Sequence, residues 1–221
     1  MRKLLVTFLS IAVFLCLNST TAFADTQADN EDIDYPEDIV TSNPEITSPN
    51  SEFSDVPASA YYAEPVAWAV ENNITSGTGN GKFSPEQACT RAQAMTFLWK
   101  AMGSPTVSST SSFSDVSSNS YYYNAVNWAV ANGITSGTGN GKFSPDAKCT
   151  RAQIVTFLWK AAGSQSADGS TFSDVPGGAY YKNAVSWAVA SSITSGTGNG
   201  KFSPDQNCTR GQIVTFLYKA Q

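Results

Sequence analysis

Three near-copies of one unit occupy the chain from Phe53 to its last residue. The tetrapeptide Phe-Ser-Asp-Val opens each copy, at residues 53, 113 and 172, so the period is 59 to 60 residues. A unit of this length is too short to bury a good hydrophobic core by itself. We therefore expect neighbouring copies to share one core, as the units of repeat proteins do. The predicted copies are residues 53–103, 113–163 and 172–221.

Each copy is predicted to form a helix, a glycine-rich loop and a second helix. In the first copy, Tyr62, Val66 and Val70 recur at the spacing of one helical face. The loop then contains Asn80-Gly81, a dipeptide typical of tight hairpin turns. The string Ile-Thr-Ser-Gly-Thr-Gly-Asn-Gly-Lys-Phe-Ser-Pro is identical in the three copies, at residues 74–85, 134–145 and 193–204.

The second helix of each copy has a sharper start than the first. Thr90 followed by Gln93 fits a capping box, in which each side chain bonds a backbone amide of the other residue. The apolar arc behind this cap is wide, so the helix should be largely buried, with Thr96 and Lys100 turned outward. Six helices around a common centre predict a mainly α, pseudo-threefold bundle of three helix-loop-helix repeats.

The N-terminal segments are predicted to lie outside this bundle. Residues 1–24 have the charged start, apolar run and small-residue cleavage site of a signal peptide, which indicates a secreted protein. Residues 25–52 contain nine acidic and no basic side chains and are predicted to be a disordered leader. The copies themselves hold eleven basic and nine acidic side chains. This near balance argues against a nucleic-acid partner, and no later apolar run is long enough to span a membrane.

One cysteine occupies the same position in each copy, at Cys89, Cys149 and Cys208. Three equivalent thiols cannot all pair with one another, so we interpret them as small buried groups rather than as a disulfide framework. A three-thiolate metal site about the pseudo-threefold axis is the alternative. The chain contains no histidine, and no fourth ligand recurs at the repeat spacing. We therefore predict neither a metal nor a cofactor.

Taken in order, these motifs closely resemble the S-layer homology domain. They are Phe-Ser-Asp-Val, Tyr-Tyr, Trp-Ala-Val, the glycine-rich loop and Thr-Arg-Ala-Gln. The resemblance implies a three-pronged spindle with one central helix from each copy. It also implies docking of a bacterial surface protein onto a secondary cell-wall polymer, often a pyruvylated one. Two features depart from the family pattern. The usual final Glu of Thr-Arg-Ala-Glu is Gln93, Gln153 or Gln212, and the usual aliphatic residue before Thr is a cysteine.

The candidate ligand-binding residues begin with an arginine at the first position of each second helix. A helix N-terminus offers unpaired amides and partial positive charge, and a guanidinium can clamp a carboxylate or phosphate. We therefore expect outward-facing arginines to receive acidic groups of a wall glycan in grooves between the repeats, while loop glycines allow close approach of the backbone. The alternative is that each arginine caps or packs locally. The residues are Arg91, Arg151, Arg210, Gly79, Gly139 and Gly198.

Aspartates and tryptophans supply the other candidates. The aspartate of Phe-Ser-Asp-Val either accepts sugar hydroxyls, as the resemblance suggests, or caps the turn into the first helix. The tryptophan of the first helix either stacks on a sugar ring or belongs to the core with one edge in a groove. The residues are Asp55, Asp115, Asp174, Trp68, Trp128 and Trp187.

A non-catalytic wall-binding module is the function that these features favour. A glycosidase would need two carboxylates, and the only recurring acidic positions are those three aspartates and the set Glu86, Asp146 and Asp205. Because the chain has no histidine, catalytic triads that need histidine and metal sites with histidine ligands are excluded. A third hypothesis is a protein-interaction scaffold whose acidic leader recruits a surface protein. The predicted partner is a peptidoglycan-linked glycan, and the predicted location is the bacterial cell wall.

Overall fold

The computed structural model describes residues 52–169 and 172–221. The predicted signal peptide and all but the last residue of the predicted acidic leader lie outside these residues. The described part of the chain forms six α-helices and no β-strand, which confirms the mainly α prediction. They are α1 (Ala63–Glu71), α2 (Arg91–Ala101), α3 (Tyr123–Ala131), α4 (Arg151–Ala161), α5 (Lys182–Ala190) and α6 (Arg210–Ala220). None of the helices in these two ranges combines the length and apolarity needed to cross a bilayer.

The second helix of each copy begins at the predicted capping box. In α2 the amide of Gln93 donates to the Thr90 hydroxyl over 3.2 Å, and the amide of Thr90 donates to the Gln93 side chain over 3.1 Å. The same reciprocal pair opens α4 and α6. Such a cap stabilises a helix by about 1 kcal/mol because it satisfies amides that lack a partner within the helix. The predicted start of each second helix is therefore confirmed.

The three second helices lie around the pseudo-threefold axis and share one apolar core. α6 contacts both α2 and α4. The side chains that meet at the axis come from all three copies; they include Ala94, Leu98, Ile154, Leu158, Ile213 and Leu217. Around this centre, each second helix packs against the first helix of the following copy: α2 against α3, α4 against α5, and α6 against α1. The main helix contacts are therefore between copies rather than within one copy. In this way units of this size obtain a common core.

The junction between the third and first copies closes the ring with contacts of its own. The hydroxyl of Tyr218 in α6 donates a hydrogen bond to the carboxylate of Glu64 in α1. The ring of Tyr218 also meets the ring of Trp68 edge-on, with centroids 5.8 Å apart. The helices α1 and α6, which are distant in sequence, are thereby held together by a polar contact and an aromatic contact.

The three cysteines lie in a closed ring of backbone hydrogen bonds. The amide of Cys89 donates to the carbonyl of Cys208, that of Cys208 to Cys149, and that of Cys149 to Cys89, over 2.8 to 2.9 Å. All three thiols are free and buried, as predicted. Burial raises the pKa of Cys89 and of Cys149 to about 12. No set of three metal-ligating side chains gathers anywhere in the described residues.

The expectation that Thr96 turns outward is wrong. Its side chain is 7% exposed, and its hydroxyl donates to the carbonyl of Ala92 over 2.8 Å. Threonine tolerates this position because its own helix supplies the hydrogen-bond acceptor. Equivalent threonines in α4 and α6 behave in the same way. The second helices are therefore enclosed more completely than their apolar pattern indicated.

Candidate functional site

The aspartate of each Phe-Ser-Asp-Val motif holds the glycine-rich loop of its own copy. In the second copy, Asp115 accepts the amide of Phe143 at 2.8 Å and the amide of Ser144 at 2.9 Å, one on each carboxylate oxygen. Partial burial acts to raise the pKa of Asp115, but these amide bonds outweigh it and hold the pKa below its usual value. Asp55 and Asp174 do the same in their copies. A contact between these aspartates and sugar hydroxyls stays a prediction.

The loop glycines differ in what limits them. Gly79 has φ of +94° in the tight turn, where the amide of Lys82 donates to its carbonyl, and a side chain there would meet open space. At Gly77, a Cβ would lie 2.5 Å from both the Lys82 carbonyl oxygen and the Phe53 ring. Gly137, the counterpart of Gly77, is the loop glycine that lines the groove described below. The predicted roles of Gly79, Gly139 and Gly198 in ligand approach stay predictions.

Each arginine at a second-helix start reaches into the following copy. The Nε of Arg91 donates to the carbonyl of Phe143 over 2.9 Å, and the guanidinium carbon lies 4.9 Å from the Phe143 ring centroid and 5.5 Å from that of Phe157. Arg151 makes these contacts with Phe202 and Phe216. The third copy closes the circle with the first through Arg210, Phe83 and Phe97. The peptide group between Phe143 and Ser144 thus joins Asp115 of its own copy to Arg91 of the preceding copy.

The expectation that the guanidinium groups face outward is wrong, because all three are buried. Arg91 and Arg151 are 3% exposed and Arg210 is 2% exposed, because each lies between two phenylalanine rings. Burial lowers the pKa of these arginines, but a guanidinium remains charged at neutral pH. The Nη2 atom of each one is buried with no hydrogen-bond partner in the described residues. An unmatched buried donor on a cation is costly.

An open groove of about 450 Å³ lies beside Arg91 and is built from all three copies. The first copy supplies Arg91 and the third supplies Tyr180. The second copy supplies its loop and one face of α4; these residues include Thr135, Gly137, Thr138, Gln153, Phe157 and Lys160. Two of the lining side chains are cationic, and none of the residues lining this groove carries a carboxylate. The same residue types stand at the equivalent positions around Arg151 and Arg210.

This arrangement corrects the predicted pairing of each arginine with its own helix start. Arg91 opens α2, but the groove that it lines runs along α4 and includes Gln153 of the α4 capping box. The reason is the packing of each second helix against the following copy, which carries the arginine across the junction. The anion-binding features that the sequence placed in one copy are therefore divided between neighbours.

The exposed aromatic residue at the groove is a tyrosine. Trp128 and Trp187 are only 5% and 7% exposed. Trp68 is half-buried against Tyr218, so these positions agree with the core alternative for the tryptophans, and their contact with a sugar ring stays a prediction. The exposed large aromatic side chains of the described residues are instead Tyr61, Tyr121 and Tyr180, at 62%, 64% and 65%. A signal for them is present in the sequence, since each precedes by one residue the tyrosine that begins the apolar stripe.

Comparison with known proteins assigns the family. The family model described as S-layer homology domain matches residues 52–95, 112–155 and 171–214. A cell surface protein of Thermoanaerobacter kivui is 37% identical over 121 residues, which are 52% of this chain and 16% of that protein. An S-layer protein of Bacillus thuringiensis subsp. finitimus is 26% identical over 179 residues, 79% of this chain and 22% of its own length. An endoglucanase of Bacillus sp. (strain KSM-635) is 28% identical over 183 residues, 76% of this chain and 19% of the enzyme. This chain thus spans less than a quarter of each of these relatives, and it belongs to the S-layer homology domain family.

Proposed function

We propose that this chain is a non-catalytic anchoring module that binds an anionic glycan of the bacterial cell wall through its inter-copy grooves. The observation that carries the proposal is the groove beside Arg91, which contains two cationic side chains and no carboxylate. Such a groove attracts the acidic substituents of a polymer, and no carboxylate in its lining repels them. The family resemblance suggests the specific ligand, a secondary cell-wall polymer with pyruvyl or other acidic groups.

The chemistry of the groove suits an acidic sugar. Arg91 lines the groove, and its guanidinium adds a positive charge that attracts a carboxylate or phosphate group bound there. Lys160 adds a second positive charge along the same wall, and the hydroxyl-bearing Thr135 and Thr138 can bond sugar hydroxyls. Because three copies present the same residue types, one chain can hold one polymer at several points, which raises its avidity.

The positions of the acidic side chains favour binding over hydrolysis. A glycosidase needs two carboxyl groups on either side of one glycosidic bond. Here the carboxylates of Asp55, Asp115 and Asp174 accept loop amides, and the other recurring set, Glu86, Asp146 and Asp205, lies exposed on the loops. Neither set lines the groove beside Arg91.

The proposed location is the cell surface. The matched relatives include proteins named as cell surface and S-layer proteins, and the predicted signal peptide at residues 1–24 supplies a route of export. The endoglucanase shares only 19% of its length with this chain, so its activity is not carried over.

Co-sedimentation with purified cell-wall sacculi tests the proposal. The protein should pellet with intact sacculi and stay in solution after chemical removal of the secondary polymer. The groove variant is the triple change Lys100→Gln, Lys160→Gln and Lys219→Gln, which removes three charges without touching the buried arginines. Its matched control removes three charges from the exposed loop lysines, in the triple change Lys82→Gln, Lys142→Gln and Lys201→Gln.

We expect the groove variant to lose most of its sedimentation and the loop control to keep most of it. Added salt should also weaken binding, because partly exposed charges are screened. Equal pelleting with and without the secondary polymer would overturn the proposal. So would equal losses in the two lysine variants, since that result would indicate a general charge effect rather than a groove.

A further inference from the structure

Among the described residues, three tyrosines are the large aromatic side chains that are exposed to solvent. Tyr61, Tyr121 and Tyr180 are each held edge-on by the following, half-buried tyrosine, with ring centroids 4.9 to 5.0 Å apart. An aromatic ring that is fixed in place but open to solvent on its other face loses little conformational freedom when a ligand packs against it. Core packing therefore does not account for these three side chains.

Each exposed tyrosine lies near an arginine of another copy. Tyr180 of the third copy lines the same groove as Arg91 of the first. Partial burial of one side of the ring raises the pKa of the Tyr61 and Tyr180 phenols, and the nearby positive charges of Arg151 and Arg91, respectively, oppose that rise. The electrostatic interaction between Tyr121 and Arg210 completes the set. In every case the two residues belong to different copies, with the loop and second helix of the remaining copy between them.

We propose that these tyrosines are the sugar-stacking walls of the grooves, and that each binding unit joins residues of all three copies. The units pair Arg91 with Tyr180, Arg151 with Tyr61, and Arg210 with Tyr121. The occupant is an acidic sugar: its charged substituent meets the guanidinium and the groove lysine, and the apolar face of its ring covers the tyrosine. This inference rests on the proposed glycan-binding function. It adds the tyrosine that contacts the sugar ring in each groove and the copy that supplies this tyrosine.

The number of binding sites distinguishes this assembly from one site per copy. Lys160 lies in the groove of Tyr180, whereas Tyr121 shares a copy with Lys160 but belongs to the groove of Arg210. The double variant Lys160→Gln/Tyr180→Ala therefore damages one groove. The double variant Lys160→Gln/Tyr121→Ala damages two grooves, although both of its changes are in one copy.

The measurement is calorimetric titration of the full chain with short oligosaccharides released from purified secondary cell-wall polymer. We expect three equivalent sites in the unaltered protein. Tyr180→Ala should weaken one of them about tenfold or more, which corresponds to about 1.4 kcal/mol, and leave two. Tyr180→Phe should keep three sites because the ring remains. Tyr123→Ala is the matched control, since the equivalent residues of the other copies are Ala63 and Lys182.

The two double variants decide the assignment of residues to grooves. Lys160→Gln/Tyr180→Ala should retain two sites, and Lys160→Gln/Tyr121→Ala should retain one. The reverse order would overturn the cross-copy assembly, and full binding by Tyr180→Ala would overturn the stacking role. An unaltered protein that binds no oligosaccharide would instead refute the proposed function itself. Thermal melts of every variant establish that a lost site is not a lost fold.

Discussion

Asp115→Asn is the change that most directly tests how the loops are held. The two oxygens of Asp115 accept the amides of Phe143 and Ser144 at 2.8 and 2.9 Å, and the carbonyl of the same Phe143 accepts the Nε of Arg91. Asparagine has nearly the same shape but only one accepting oxygen, and its NH₂ group would face the second amide. One charge-assisted bond is therefore lost, and the other loses its charge.

The expected cost follows from the strength of such bonds. A hydrogen bond to a charged group contributes about 1.5–3 kcal/mol, so we expect Asp115→Asn to lower the free energy of unfolding by about 2 kcal/mol. In a domain of this size, each kcal/mol shifts Tm by about 2–4 °C, which predicts a fall of about 4–8 °C. The assay is thermal unfolding followed by circular dichroism at pH 7. Asp146→Asn is the matched control, because Asp146 is an exposed residue of the same copy.

The same variant predicts a pH dependence with a definite sign. The pKa of Asp115 is held below its ordinary value in the folded protein, so the ionised form is the one that folding favours. Its contribution is complete above the unfolded pKa of about 3.9 and is lost as the pH falls through the folded pKa. The Tm gap between the unaltered protein and Asp115→Asn should therefore be full at pH 7 and narrow below about pH 4. If Asp115→Asn and Asp146→Asn had the same Tm at pH 7, this account of how the loop is held would be refuted.

Three further predictions test the local structure. Thr150→Ala should lower the free energy of unfolding by about 1 kcal/mol in urea titrations because it removes the cap of α4, and Thr150→Ser should restore most of it; equal stability of all three proteins would contradict the capping role. In the folded protein the Cys149 thiol should not react with a thiol reagent at pH 8, because burial raises its pKa to about 12 and shields its sulfur, whereas its labelling should be complete in denaturant. Rapid labelling of Cys149 without denaturant, located by peptide mapping, would contradict that burial. Gly77→Ala and Gly79→Ala both force a side chain into positive φ, but only the first also drives Cβ into its neighbours, so Gly77→Ala should have the lower Tm in thermal melts, and the opposite order would show that the steric overlap is not limiting.

Much of the fold could be predicted from the sequence because its signals are local. The capping pair Thr90 and Gln93 is separated by three residues, and the stripe of Tyr62 and Val66 by one helical turn, so neither depends on the rest of the chain. The repeat period also predicted a shared core, since one copy is too small to have its own. The expectation that Thr96 is exposed was wrong, because a local sequence pattern carries no information on how many neighbours surround a helix.

The site required the tertiary structure, and the repetition itself is the reason. Three copies with the same residue types make every arginine, loop and tyrosine look alike, so the sequence by itself determined which residues recur but not which copies they join. Arg91 meets Phe143 of the second copy because α2 packs against α3, and it shares a groove with Tyr180 of the third copy because α4 packs against α5. Local sequence determined the helices, their caps and the loop. Long-range packing between near-identical units decided which residues of the three copies meet in a groove.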